Sequence, residues 1–230
     1  MVDSILDVKN LSGGYDDLLV VRDISLEIHS GQAISITGRN GVGKSTLLKL
    51  IFGNLKPYQG EVNFLNSNLE KIASHKRLDL GISYAPQENI VFDNLTLEEN
   101  LTLHYEESNL KHYQSLFEKF PRLRERLDQK AGTLSGGEKK LLSFSRVLAE
   151  PSKLILLDEP TEGVQSDNIE LMAQIIREEK LKGRGFLIVA QNLTFLEAFN
   201  DIMHLIDHGE QIFKIEGVDF REEIEARVVI

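Results

Sequence analysis

No cysteine occurs among the 230 residues, so the chain carries neither a disulfide framework nor a thiolate metal site. Long apolar runs are missing as well. The densest, Leu154 to Leu157, stops at Asp158, whereas a membrane-spanning helix needs about 20 apolar residues. The N-terminus, Met1-Val2-Asp3-Ser4, is acidic and lacks the basic-then-apolar pattern of a signal peptide. Positive charge is in deficit: 26 Lys and Arg against 36 Asp and Glu give a formal net charge of −10. Nucleic-acid affinity rests on neutralising phosphates, so no nucleic-acid partner is expected, and no polybasic membrane anchor. What is present is a composition usual for a soluble globular protein, 41% hydrophobic and 27% charged. The length suits one large domain, or a core with a smaller lobe.

Strand-like alternation opens the chain at Ile5–Lys9, Leu18–Val21 and Ile24–Ile28, and Ser30-Gly31 marks a turn. Ala33–Thr37 is a short β-branched run expected to be a buried strand. From Ser45 to Phe52 the apolar spacing turns helical, and Gly53 offers a stop. Further strands are expected at Gly60–Leu65 and Gly81–Tyr84. A helical stretch follows from Thr96 to about Lys130, broken at Pro121, with Arg122–Lys130 as a solvated helix. Beyond Gly136-Gly137 come a helix, a strand at Leu154–Leu157, a helix over Asn168–Lys182 and a strand at Gly185–Val189. A helix at Thr194–Asn200 and strands near His204–Ile206 and Gln211–Phe213 complete the pattern, leaving Arg221–Ile230 as a short tail. Alternating strands and helices imply an α/β fold with a mainly parallel sheet covered on both faces.

Two stretches carry chemistry. Gly38-Arg39-Asn40-Gly41-Val42-Gly43-Lys44-Ser45, followed by Thr46, fits the phosphate-loop pattern G-x-x-x-x-G-K-[ST]. Its glycines turn backbone N–H groups inward at a helix N-terminus, making an anion nest. Lys44 places a charge on the β- and γ-phosphates, and the Ser45 hydroxyl suits Mg²⁺. A glycine turn before a core helix is the bland alternative. Leu154–Leu157 runs into Asp158-Glu159, placing two carboxylates at a strand's carboxyl end, where open α/β sheets bind ligands. Asp158 is expected to hold the metal or its water shell, and Glu159 to act as general base on the attacking water. Alone, such a pair often simply meets solvent. The six histidines (His29, His75, His104, His112, His204, His208) show no metal-ligand spacing and are expected at the surface or rim.

Leu134-Ser135-Gly136-Gly137-Glu138 lies before the acidic pair. With the two preceding motifs, in this order, it resembles the signature of the ATP-binding cassette (ABC) family, over nearly the whole chain. The resemblance implies a phosphate-loop NTPase core with a mainly parallel sheet, an N-terminal antiparallel β subdomain and a helical subdomain. Core and β subdomain would span about 1–87 and 150–230, and the helical subdomain with the signature about 88–149. It places Tyr15 where an aromatic stacks on adenine, and Gln87 where a glutamine reaches the metal and senses the membrane partner. It also implies a head-to-tail pair of nucleotide-binding domains, in which Ser135, Gly136 and Gly137 contact the γ-phosphate held by the other subunit. Hydroxyl and N–H donors at a helix N-terminus suit that oxyanion.

Two departures narrow the branch. Glu162-Gly163-Val164-Gln165-Ser166 stands where most members carry a segment ending in aspartate, and Gln191 stands where most place a histidine. Both look like the ATPase subunits of branched-chain amino-acid and urea importers. Gln191 has a hydrogen bond to give but neither positive charge nor proton relay, so it is expected only to orient groups. The resemblance thus implies an ATPase using ATP and Mg²⁺, peripheral on the cytoplasmic face of the membrane. It would drive permease subunits as a partner of a second, same or sibling, cassette. An exporter of lipid or peptide, a soluble non-transport ABC protein and a non-hydrolysing regulator are the rival readings.

Overall fold

The computed structural model describes residues 3–88, 90–105 and 109–217; the tail expected at Arg221–Ile230 lies outside them. The apolar alternation at the start produces a hairpin, β1 (Ser4–Tyr15) against β2 (Leu18–His29). Leu18–Val21 and Ile24–Ile28 are one strand, bulged at Asp23, which takes φ 51° and donates its N–H to Ser12 Oγ at 2.9 Å. β3 (Ala33–Thr37) leads into α1 (Lys44–Phe52). Gly53, at φ 83°, ends that helix by donating to the Leu50 and Lys49 carbonyls. β4 (Gln59–Phe64), β5 (Ser67–Asn68) and β6 (Ile82–Ala85) follow. The first sheet runs β2-β1-β4-β5, antiparallel throughout.

The next stretch is less helical than its composition suggests. It holds α2 (Leu97–Thr102), α3 (Gln114–Lys119), α4 (Pro121–Glu125) and α5 (Gly136–Ala149). The single helix expected over Arg122–Lys130 is not formed: α4 stops at Glu125. The Gln129 and Leu127 carbonyls instead accept from the N–H groups of Leu97 and Glu98, and Thr96 bridges to Lys130. Tertiary pairing outcompetes local propensity there. α2 and α5 each start on a capping box, Thr96 with Glu99 and Ser135 with Glu138, and such a cap contributes about 1 kcal/mol.

The remainder alternates: β7 (Leu154–Asp158), α6 (Ser166–Leu181), β8 (Gly185–Val189), α7 (Leu193–Glu197), β9 (Ile202–Asp207) and β10 (Glu210–Glu216). The second sheet has the order β10-β9-β3-β8-β7-β6, parallel except at the β10 edge. Its central strands are buried along their whole length, and neighbouring residues divide between two cores. Ile34, Ile36, Leu154, Leu156, Leu187 and Val189 face α1 and the first sheet, among Leu47, Leu48 and Leu6. Ala33, Ile155, Leu157, Phe186 and Ile188 join Leu142, Phe144 and Met172 of α5 and α6. Each Val, Leu, Ile, Phe or Met side chain so buried contributes about 1.5–3 kcal/mol.

Five of the six histidines are at the surface or rim. His204 corrects the expectation: it points into β9's buried face, 3% exposed, with Nδ1 2.6 Å from Gln211 Oε1. Register then fixes where chemistry occurs. Ile36 pairs with Val189, Val189 with Asp158, and Leu157 with Ala85. The segments after β3, β8, β7 and β6 therefore emerge together at one edge of the sheet.

Candidate active site

The loop after β3 owes its path to glycine. Gly38 sits at φ 147°, and a Cβ there would strike the Ile206 carbonyl; Gly43, at φ 107°, is the N-cap of α1. No side chain caps this helix, so the N–H groups of its first turn remain for a ligand. The Lys44 ammonium is folded over the loop, donating to the Gly38 and Arg39 carbonyls at 2.7 and 2.8 Å. Burial pulls its pKa down, against the opposing charges of Glu159 and Asp158. Ser45 Oγ donates to Asp158 Oδ1 at 2.9 Å, joining the start of α1 to the end of β7.

Asp158 is 2% exposed and also accepts from the Tyr84 hydroxyl at 3.5 Å. Burial raises its pKa, and the Ser45 hydrogen bond opposes that rise. Glu159 next to it has φ 46°, a left-handed conformation that a non-glycine residue keeps only where its surroundings enforce it. Its N–H donates to the Val189 carbonyl at 2.8 Å. Burial raises the Glu159 pKa too, while Lys44 and Gln191 draw it down. Gln191 Nε2 donates to Asn40 Oδ1 at 2.6 Å and to Glu159 Oε1 at 3.3 Å. Gln87 Nε2 donates to Glu162 Oε2 at 3.3 Å. Asn40, Gln87, Glu159, Glu162 and Gln191 enclose an open cleft of about 530 Å³.

Tyr15 ends β1 near α1. It is 40% exposed, with the Lys49 ammonium 5.6 Å from its ring centroid and bonded to its hydroxyl at 3.2 Å. The structure thus gathers Gly38–Thr46, Asp158, Glu159, Gln87 and Gln191. It does not bring Ser135–Gly137 into the cleft. Ser135 and Gly136 are exposed at the start of α5, and Ser135 Oγ accepts from the Glu138 N–H at 3.3 Å and donates to Glu138 Oε2 at 3.0 Å. Gly137 lies against the Gly163 carbonyl, where a Cβ would collide. Two partners of the site carry no sequence signal. Tyr84 reads as strand filler, and Lys140, within the polar start of α5, is buried with Nζ 2.9 Å from the Gln87 carbonyl.

The donor set fits Mg²⁺. A hydroxyl and a carboxylate, both hard oxygen ligands, meet at 2.9 Å, and Mg²⁺ usually takes one or two protein oxygens with phosphates and waters. Among the described residues no group of three His, Cys, Asp or Glu side chains forms a metal cage, so phosphate oxygens would have to complete the shell.

Residues 21–162 match the family described as ABC transporter. The chain belongs to the ABC transporter family. This ABC cassette is an ATP-binding ATPase. It is 35% identical, over 91% of each chain, to the probable branched-chain amino acid transport ATP-binding protein LivF of Archaeoglobus fulgidus. It is 31% identical, over 93% of each, to the high-affinity branched-chain amino acid transport ATP-binding protein BraG of Pseudomonas aeruginosa. The lipopolysaccharide export system ATP-binding protein LptB of Haemophilus influenzae is 33% identical over 83% of the cassette and 81% of LptB. Among solved structures, the ATP-binding subunit of an ABC transporter superposes with a TM-score of 0.84 at 28% identity, covering 97% and 95% of the two chains. An ABC-transporter cassette in its ADP conformation gives 0.81 at 27% identity, covering 98% and 96%.

Proposed function

We propose that this ATPase powers the import of branched-chain amino acids, or of a related small amide or urea, through a membrane permease. The carrying observation is the 35% identity over 91% of both chains to a probable branched-chain amino acid transport protein. Gln191 in place of a histidine, and the Glu162–Ser166 segment, support the same branch. The lipopolysaccharide-export relative, 33% identical, favours lipid export as a second reading. Uptake of labelled leucine separates the two in cells lacking this chain. Import predicts uptake near background, restored by the wild-type chain; normal uptake with lipid retained inside the cell overturns it in favour of export.

In the proposed site, the N–H groups at the start of α1 and the Lys44 ammonium hold the phosphates, and Tyr15 stacks on adenine. Ser45 and Asp158, with Gln87 at the rim, would hold Mg²⁺, which supplies charge neutralisation on the phosphates. Glu159 accepts a proton from water as the water oxygen bonds to the γ-phosphorus and the bridging oxygen departs. Desolvation makes its carboxylate a stronger base than an exposed glutamate. Gln191, tied to Asn40, keeps that carboxylate aimed. Ser135–Gly137 complete the corresponding site of a second cassette, the same chain or a sibling ATPase. The lobe of residues 88–149 passes closure of the pair to the permease, with the cassette peripheral on the cytoplasmic face of the membrane.

A further inference from the structure

Two adjacent lysines on α5 have opposite fates. Lys139 lies partly exposed and pairs with Asp93 at 2.7 Å. Lys140, about 100° further round the helix, is turned inward and only 8% exposed. Its ammonium reaches the Gln87 carbonyl at 2.9 Å, across 53 positions of sequence. Gln87 in turn donates its side-chain amide to Glu162 at 3.3 Å. One polar chain therefore links the helix that begins at Ser135, the turn after β6 and the segment after β7. Burial pulls the Lys140 pKa below its ordinary value, while the charges of Glu162, Asp158, Glu159 and Glu88 act to raise it. A buried ammonium that donates to the carbonyl of a cleft residue, Gln87, has more than packing to offer.

We propose that Lys140 is a positioning residue for hydrolysis: by gripping the Gln87 carbonyl it sets how Gln87 enters the cleft and ties the Ser135–Gly137 helix to that placement. Shift of α5 and reorientation of Gln87 are then one movement. The phosphate-loop contacts lie elsewhere, so binding of nucleotide without metal does not depend on Lys140. This rests on the assignment of Gln87 and Glu159 made above.

The test separates turnover from binding. Lys140→Met keeps the apolar stem and removes charge and donor. The expected result is a fall of about tenfold in kcat for phosphate release, as loss of positioning commonly produces. Affinity for a fluorescent ATP analogue in EDTA should stay within about twofold. The absence of native cysteine permits a rescue. Lys140→Cys carries the only thiol, and alkylating it with bromoethylamine in denaturant, then refolding, rebuilds an ammonium at nearly the original length. Alkylation should bring kcat back to within about threefold of mock-treated wild type; this comparison stands even if Lys140→Met does not fold. The proposal is overturned by a kcat within about twofold of wild type in the Met or unalkylated Cys variant, by no recovery on alkylation, or by a proportional loss of nucleotide affinity. Glu159→Gln run alongside keeps the two readings apart. Normal turnover in that variant removes the site assignment and the role of Lys140 with it. Abolished turnover there, with Lys140→Met unaffected, overturns the Lys140 proposal alone.

Discussion

Ser45 Oγ and Asp158 Oδ1 meet at 2.9 Å although 113 positions separate them, and on the proposed reading both belong to the metal. Losing a group that holds or orients a metal commonly costs about 10–100-fold in metal affinity, so Ser45→Ala should weaken Mg²⁺-dependent nucleotide binding by about tenfold or more. Binding in EDTA should be unchanged, and calorimetry with and without the metal reads both. Equal losses in the two conditions would mean that Ser45 serves the phosphate nest instead. Residues of this kind were legible because their chemistry is written in contiguous sequence: Gly38–Thr46 in a fixed spacing, Asp158-Glu159 at the end of an apolar run. Their partners were not. Asn40 meets Gln191 across 151 positions and Gln87 meets Glu162 across 75, and spacing in one chain does not encode such encounters. Lys140 is hidden for a related reason: a lysine beside a lysine reads as a solvated pair, and only the packing of α5 turns one of them inward.

At the level of elements, strands announce themselves best where they are buried on both faces. Leu154–Leu157 and Gly185–Val189 were legible nearly to the residue because a parallel central strand must be apolar throughout. From Arg122 to Lys130 a helical spacing competes with backbone pairing to residues 95–98, and the pairing prevails. Two elements carry predictions. The α5 N-terminus packs Gly137 against the Gly163 carbonyl, so Gly137→Ala must push Ser135–Gly137 away from the segment after β7. Hydrolysis should fall by about tenfold or more while nucleotide binding by the isolated chain persists; loss of binding as well would point to a damaged fold. On β9, burial holds the His204 imidazole below its ordinary value, outweighing the Gln211 hydrogen bond that acts to raise it. The unfolded chain then takes up the proton more readily than the folded one. The contribution of the neutral, buried His204 to stability is therefore fully present above the ordinary histidine value and is lost as pH falls below it. His204→Gln should flatten the decline in Tm between about pH 6.5 and 5; an undiminished slope would assign that acid sensitivity to other groups.

Across the whole molecule, the parallel sheet gathers four segments at one edge and leaves the signature on an outer surface of the lobe. The net charge is −10 and no helix among the described residues is long and apolar enough to cross a membrane; on the proposed function, contact with the membrane runs through the permease. The isolated chain should not float with vesicles rich in anionic lipid, and flotation would show a lipid-binding surface of its own. The arrangement was legible at this scale because alternating strands and helices admit few architectures. Which side chains face one another within it was not. Hydrolysis in the proposed site turns on Glu159, held at φ 46° between the phosphate loop and Gln191. Phosphate release and ATP binding should be measured on Glu159→Gln. Turnover should fall at least about 100-fold, the range for removing a general base, with ATP still bound at wild-type affinity. Turnover close to wild type in that variant would remove Glu159 as the general base.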